Sequence, residues 1–361
     1  MNIDETDTKK ETPPDRHEPG IQDVVKVDLQ AASDKFTLTT VAIPLTYNDQ
    51  ILSVLSLLDR NTLLCGLSDN GEDIYEIGIW QIDLSKYTKL LDVDAGSWYT
   101  IASNEEYIFF EYLSEFNDMG IMSKIAQLWM YNLQNGDFEK IFDYSQDSDG
   151  YNGAVFSNHR VLHDGYWYFE DLLKNEGQQW VGTAYRYNLK TGQIEALGDN
   201  LQDELLLNGA VWYLQIDSDG SQPRLKNITS GETMEIPENI YDYVSTGNDI
   251  AARYSIGENA DNGLPVMELK LIDSETTIFS GEYNIDKLKA NEYFTVWTNL
   301  VDEYPMLYDN VHNQMLYLES MDKAEHLYWL KDNYGLILSM IHHQDGTVEY
   351  NIPYRAKRAH A

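Results

Sequence analysis

Two short runs in this chain have the residue types and spacing of the start of a calcium loop. Asp147-Ser148-Asp149-Gly150 and Asp217-Ser218-Asp219-Gly220 each set hard oxygen ligands two residues apart, ahead of a glycine that permits a sharp turn. A full EF-hand loop has an acid six residues past that glycine, and those positions here are Phe156 and Lys226. Asp, Ser and Gly also make ordinary turns, so Asp147, Asp149, Asp217 and Asp219 carry a calcium expectation with a plain turn reading beside it.

Other site chemistries leave less trace. His159 and His163 flank Arg160 in a strand-like run, four residues apart and so about 13 Å apart on one strand face, too far for one metal. His342 and His343 are adjacent and point to opposite sheet faces. A zinc site is not expected. The single cysteine, Cys65, excludes a disulfide framework within the chain and reads as a small buried hydrophobe. No nucleophile elbow, phosphate-cradling glycine loop, dinucleotide fingerprint or Ser-x-Asp-x-Gly-x-x-Trp box is present. With 60 acids some close carboxylate pair is inevitable, so pairing alone does not point to a glycosidase.

Aromatic residues are the better lead. Trp98, Tyr151, Trp180 and Tyr241 fall in or beside polar loops, where exposed rings next to acids hold sugars or peptides. For Trp98, and for Tyr243, the plainer reading is a cap on the core between sheets. Trp180 follows Gln178-Gln179 in a polar loop and is the strongest ligand candidate of the set.

The elements that must position these residues come from a repeat. Ile79-Trp80-Gln81-Ile82-Asp83-Leu84, Leu128-Trp129-Met130-Tyr131-Asn132-Leu133 and Ala184-Tyr185-Arg186-Tyr187-Asn188-Leu189 share a hydrophobic alternation ending in Asn or Asp. Weaker copies put the polar anchor at 227, 273, 309 and 351, at intervals of 49, 56, 39, 46, 36 and 42 residues from 83 onward. Strand-built repeats of this length make a β-propeller. Asn135-Gly136, Thr191-Gly192 and Ser230-Gly231 fill the same tight-turn slot after the anchor, where positive φ is needed.

Each unit resolves into four strands, giving units near 50–94, 95–146, 147–200, 201–240, 241–282 and 283–320. The seventh, 321–354, lacks a fourth strand. Residues 35–42, Lys35 to Ala42, precede the first complete unit and can supply it, closing the ring so that no edge is left open. The expectation is seven blades, with six or eight as alternatives because Val24 to Leu29 is an unplaced strand. Residues 21–354 form one all-β domain, 1–20 a disordered tether and 355–361 a tail. The run Ile51 to Leu58 reads as a strand start rather than a helix turn.

The Tyr-Asn-Leu-x-Thr-Gly type runs at 187–192 and 131–136 resemble those of bacterial propellers related to the TolB C-terminal domain and their secreted Gram-positive relatives. The resemblance is architectural, covers nearly everything after residue 21, and implies no catalytic residues.

In such a blade the loops after second and fourth strands share one face and the turns after first and third strands share the other. The long acidic loops, 68–73, 114–123, 174–180, 217–220, 258–263 and 143–153, all belong to the first set, which is therefore the binding face. A formal charge of -35 opposes nucleic acid and anionic membranes and favours cationic partners. No apolar run is long enough to span a bilayer. No signal peptide is recognised, and Asp4 to Pro14 has the composition of the tether that follows a lipidated cysteine in Gram-positive lipoproteins. The function expected is a non-catalytic, monomeric extracellular or cell-surface propeller that binds a protein, peptide or glycan and needs no cofactor. The alternatives are a carbohydrate-active lyase or hydrolase with a funnel site and, for location, the cytoplasm.

Overall fold

The computed structural model describes residues 25–27, 37–59, 61–118, 120, 122–146, 149–152, 161–174, 180–216, 223–236, 240–258, 265–282, 286–299, 304–318, 330–331, 335–336, 339–342 and 347–354. Their regular structure is all β-strand, without helix.

Two strands come first, β1 (Val25–Val27) and β2 (Thr37–Pro44). A sheet then runs through β3 (Thr46–Tyr47), β4 (Gln50–Asp59), β5 (Thr62–Ser68), β6 (Ile74–Gln81) and the first half of β7 (Lys86–Ser103). The second half of β7 opens the next array, followed by β8 (Tyr107–Phe116), β9 (Ser123–Asn132) and β10 (Phe138–Asp143). The third array is β11 (Val161–His163), β12 (Tyr166–Lys174), β13 (Trp180–Asn188) and β14 (Ile194–Asp199). The fourth is β15 (Leu201–Leu207), β16 (Ala210–Gln215), β17 (Arg224–Asn227) and β18 (Thr233–Glu235). The fifth is β19 (Ile240–Ser245), β20 (Ile250–Glu258), β21 (Pro265–Leu271) and β22 (Thr276–Glu282). The sixth is β23 (Asp286–Ala290), β24 (Phe294–Asn299), β25 (Tyr304–Asp309) and β26 (Gln314–Leu318). The chain finishes with β27 (Leu330–Lys331), β28 (Gly335–Leu336), β29 (Ser339–His342) and β30 (Thr347–Tyr354).

Each four-stranded array is an antiparallel meander in chain order, and the run Ile51 to Leu58 lies in β4 as a strand. One boundary differs from the sequence reading. The fourth strand of the first array and the first strand of the second are a single strand, β7, which pairs with β6 as far as Gly96 and with β8 from Ser97. Strand β2 pairs antiparallel with β30 from Thr37↔Tyr354 to Pro44↔Thr347, bringing an N-terminal strand to a C-terminal one. Within the otherwise unplaced run Val24 to Leu29, β1 pairs parallel with β26, Val25 opposite Leu316 and Val27 opposite Leu318.

The first strands β4, β7, β11, β15, β19 and β23 touch one another in that order, so they form the innermost layer around an axis. Between neighbouring arrays lie the cores. Trp98, Phe110, Ile108 and Leu64 fill one, Phe109, Trp167 and Phe169 the next, and Leu269, Met306 and Trp297 another. Val41, Ile43 and Val348 of the β2–β30 pair pack with Leu52, Leu63 and Trp80 of the first array. Burial of these large side chains is worth roughly 1.5–3 kcal/mol each.

The repeated anchor locks a turn. The Oδ1 of Asn132 accepts the backbone N–H groups of Gln134 and Asn135, and Asn188 and Asn227 do the same for Lys190 and Thr191 and for Thr229 and Ser230. Asp309 repeats it with Val311 and His312. Four residues past the first three anchors, Gly136, Gly192 and Gly231 have φ of 78°, 68° and 74°, which glycine adopts without strain. The residue after each anchor then donates to the neighbouring turn, Leu133 to Glu106 O and Leu189 to Gly165 O, so both turns of an array are tied at one end.

Candidate functional site

The turns after first and third strands emerge at one end of the inner layer, and there the turns are laced together. Asn208 N–H donates to Gly247 O at 2.8 Å, and the Ser245 hydroxyl donates to Leu206 O. Gly247, at φ 86°, sits so close to Glu292 of the following array that a Cβ would lie 3.6 Å from the Glu292 Cβ.

The innermost strands are irregular. Register shifts interrupt β4 between Val54 and Ser56, β7 between Thr100 and Ala102, β15 between Gln202 and Leu205, β19 between Ile240 and Asp242, and β23 between Asp286 and Lys289. A bulge turns side chains off the regular alternation and is frequent beside active sites. In β19 it separates two tyrosines that alternation would set on one face: Tyr241 is 59% exposed and Tyr243 only 5%. In β15 the bulge holds Asp203 at φ 52°, a left-handed conformation that costs a non-glycine residue about 1–3 kcal/mol.

Around these bulges the protein gathers charge out of water. Burial, then the carboxylates of Asp203, Glu170, Glu204 and Asp242, push the Tyr243 phenol well above its ordinary range. The Tyr243 hydroxyl donates to the Asp203 carbonyl at 3.3 Å. Glu170 on β12 and Glu204 on β15 are buried, so one acid-lined region joins three arrays. Asp242 faces Arg253 across the β19–β20 pair. On β23, burial lowers the Lys289 ammonium to about 8, with Asp242 opposing the shift.

The sequence reading missed these acids. Glu170 lies opposite Ala184, four residues before Asn188, and Glu111 lies opposite Leu128, four before Asn132. The signal was a glutamate after Phe-Phe or Tyr-Phe in an apolar second strand, at 107–111 and 166–170.

The expected site residues are placed as follows. Trp98 is 3% exposed, its indole N–H donates to Asp94 O, and its ring is covered by Phe110, Tyr112, Trp129 and Phe138. This is the core-capping position, as it is for Tyr243. Tyr151 is half-buried with the Lys124 ammonium 5.8 Å above its ring. Its neighbour Asn152 is pinned to the start of β9 by Asn152 N–H to Ser123 O and by its side-chain amide to Lys124 O. Ser145 N–H, in the same loop, bonds the Asp171 carboxylate at 3.2 Å, and burial raises that carboxyl while the bond to Ser145 opposes the rise. Trp180 opens β13, its backbone opposite Lys174; its side chain lies outside the described residues. Asp149 is exposed in the 149–152 turn, and Asp147, Asp217 and Asp219 lie outside the described residues, as do His159 and His343. Among the described residues no three His, Cys, Asp or Glu side chains are grouped to hold a metal ion.

No family model and no curated protein matches the chain. Solved structures do. An oligogalacturonate lyase from Vibrio parahaemolyticus superimposes with a TM-score of 0.54 at 11% identity, covering 88% of this chain and 97% of that one. An oligogalacturonate lyase in complex with manganese gives 0.55 at 10% identity, covering 89% and 96%. TolB from Acinetobacter baumannii gives 0.42 at 12% identity, covering 90% and 67%. The chain is an all-β protein of β-propeller fold, similar to known propellers in architecture.

Proposed function

We propose that this protein is a ligand-binding propeller that takes a cationic peptide, protein segment or glycan at the long-loop end of its central channel. The observation that carries the reading is Tyr241, a well-exposed ring raised by a bulge on an innermost strand and followed directly by Asp242. The carboxylates of Asp203, Glu170, Glu204 and Asp242 around the Tyr243 phenol bring negative charge to the same innermost strand, β19. The laced turns at the opposite end favour entry from the long-loop side.

The same reading takes the ring as seven blades closed through β2, supported by the β2–β30 register and the packing of Val41 and Ile43 on the first array. It places the protein outside the cell, on the strength of the acidic composition.

The test is a binding screen on the full chain with hexalysine and with neutral and amino-sugar oligosaccharides, comparing Tyr241→Ala with Leu84→Ala at the short-turn end. Retention without product that is lost in Tyr241→Ala supports the reading. Equal loss in both variants contradicts it.

A second reading, a carbohydrate-active enzyme, is favoured by the likeness in fold to two oligogalacturonate lyase structures across 88% and 89% of this chain. Turnover of oligogalacturonate or another glycan that disappears in Glu170→Gln or Glu204→Gln would establish it in place of pure binding.

A further inference from the structure

The large hydrophobic side chains that stand exposed among the described residues fall into two sets. Leu84, Ile194 and Val311 lie at the short-turn end, Leu84 and Val311 in turns between third and fourth strands and Ile194 at the start of β14. Tyr99, Phe116, Tyr241 and Ile256 lie toward the long-loop end, where first strands enter and second strands leave. This second set is confined to two arrays. Tyr99 on β7 and Phe116 on β8 belong to the second, Tyr241 on β19 and Ile256 on β20 to the fifth. Along the inner layer these arrays are three steps apart, roughly 135–180° of rotation in a ring of six to eight blades. They therefore stand on opposite sides of the axis.

Each of the four side chains is displayed by an irregular backbone. Tyr241 and Ile256 occupy bulges, between Ile240 and Asp242 and between Ser255 and Gly257. Tyr99 precedes the register shift between Thr100 and Ala102, and Phe116 follows Glu115, which at φ 56° holds a left-handed conformation uncommon outside glycine. A bulge re-aims a side chain, so this exposure is built into the strands. Both patches are also acidic. Exposed Glu115 adjoins Phe116, Asp242 follows Tyr241, and exposed Glu258 lies two residues past Ile256. The patch on the second array already holds an ammonium: Lys124 lies 3.6 Å from the Glu115 carboxylate and 5.8 Å from the centroid of the Tyr151 ring. A carboxylate beside an aromatic ring is an ammonium seat in this protein.

We propose that the two patches form one docking surface across the mouth of the channel, and that its occupant is an extended, basic segment of another protein with an apolar side chain toward each end. This surface rests on ligand entry at the long-loop end and narrows the ligand to a polypeptide. Ile256 offers no flat face on which a ring could stack, and patches on opposite sides of the axis need a chain long enough to reach both. The formal charge of -35 selects lysine and arginine for the residues between. Each patch alone is a weak anchor; once one is engaged, contact with the other is intramolecular.

The test uses the full chain and synthetic lysine-glycine peptides with Leu-Leu at one end or at both, on spacers of about 4, 8 and 12 residues that reach about 14–42 Å when extended. At the length that spans the patches, the two-ended peptide binds at least about tenfold more tightly than its one-ended partner. Tyr99→Ser with Phe116→Ser, or Tyr241→Ser with Ile256→Ser, removes that advantage, while Leu84→Ser with Ile194→Ser at the short-turn end keeps it. If a double variant loses its sheet signal in circular dichroism, Phe116→Ser or Ile256→Ser alone replaces it. No two-ended advantage at any length, or one that survives in either patch variant, overturns the docking surface. If hexalysine binding is then still lost in Tyr241→Ala, entry at the long-loop end stands without it; absence of any basic-peptide binding overturns both. A neutral oligosaccharide whose binding is lost in both patch variants overturns the polypeptide as occupant.

Discussion

Asp249 accepts the backbone N–H of Asp273 at 2.8 Å, and its second oxygen accepts that of Ser274 at 3.0 Å. The turn between β19 and β20 thus holds the turn between β21 and β22, whereas in three other arrays Asn132, Asn188 and Asn227 each hold their own turn. The fifth array keeps the same end tied with its anchor moved to the neighbouring hairpin.

Asp249→Ala strips an acceptor from at least two backbone N–H groups and is expected to cost about 1–3 kcal/mol in urea unfolding. Asn188→Ala should cost a similar amount. Asp273→Asn should be neutral or slightly stabilising, because burial and then Asp249 raise the Asp273 carboxyl in the native state. A destabilisation by Asp273→Asn larger than that of Asp249→Ala would contradict the assignment of the anchor.

Trp98→Ala removes a ring enclosed by four others and should cost about 3–5 kcal/mol, with Trp98→Phe costing less. Thermal melts of both variants, with hexalysine binding measured on the Phe variant, check that Trp98 serves the core: binding should be unchanged.

What was legible in the sequence follows from how local each signal is. The anchors at Asn132 and Asn188 and their glycines were readable because an Asx turn is closed by residues two and three positions on. Of the 35–42 run expected to pair with a C-terminal strand, the part from Thr37 onward does so, which was readable because an orphan strand and a deficient unit imply one another. The site was not readable. Glu170 and Glu204 look like any other of 60 acids until the fold buries them, and the bulges that expose Tyr241 and strain Asp203 depend on pairing between strands. The core-capping role of Trp98 was legible because it sits in an alternating run, Ser97 to Ala102, that reads as an innermost strand.

Lys289 predicts a pH dependence with a definite sign. Its native value of about 8 lies below the ordinary 10.5, so the unfolded chain binds more protons between those limits. Stability should therefore rise with pH from about 8 upward, by at most about 3 kcal/mol. Melting temperatures at pH 7 to 9.5 should climb more steeply in the wild type than in Lys289→Met. Parallel curves would refute a buried, easily deprotonated amine.

Tyr241→Ala removes an exposed ring that the core does not use, so its melting temperature should match the wild type within error. Its affinity for hexalysine should fall by about 1 kcal/mol or more in calorimetric titration. That affinity should also weaken as salt is raised from low to physiological ionic strength.

The proposal that a ligand binds at the long-loop end is tested most directly by hydrogen exchange of the full chain with and without saturating hexalysine. The account predicts slowed exchange in 240–243 and 149–152 with no change at 133–137, 189–193 and 228–232. Protection confined to those short turns, or no protection anywhere at millimolar peptide, would contradict it.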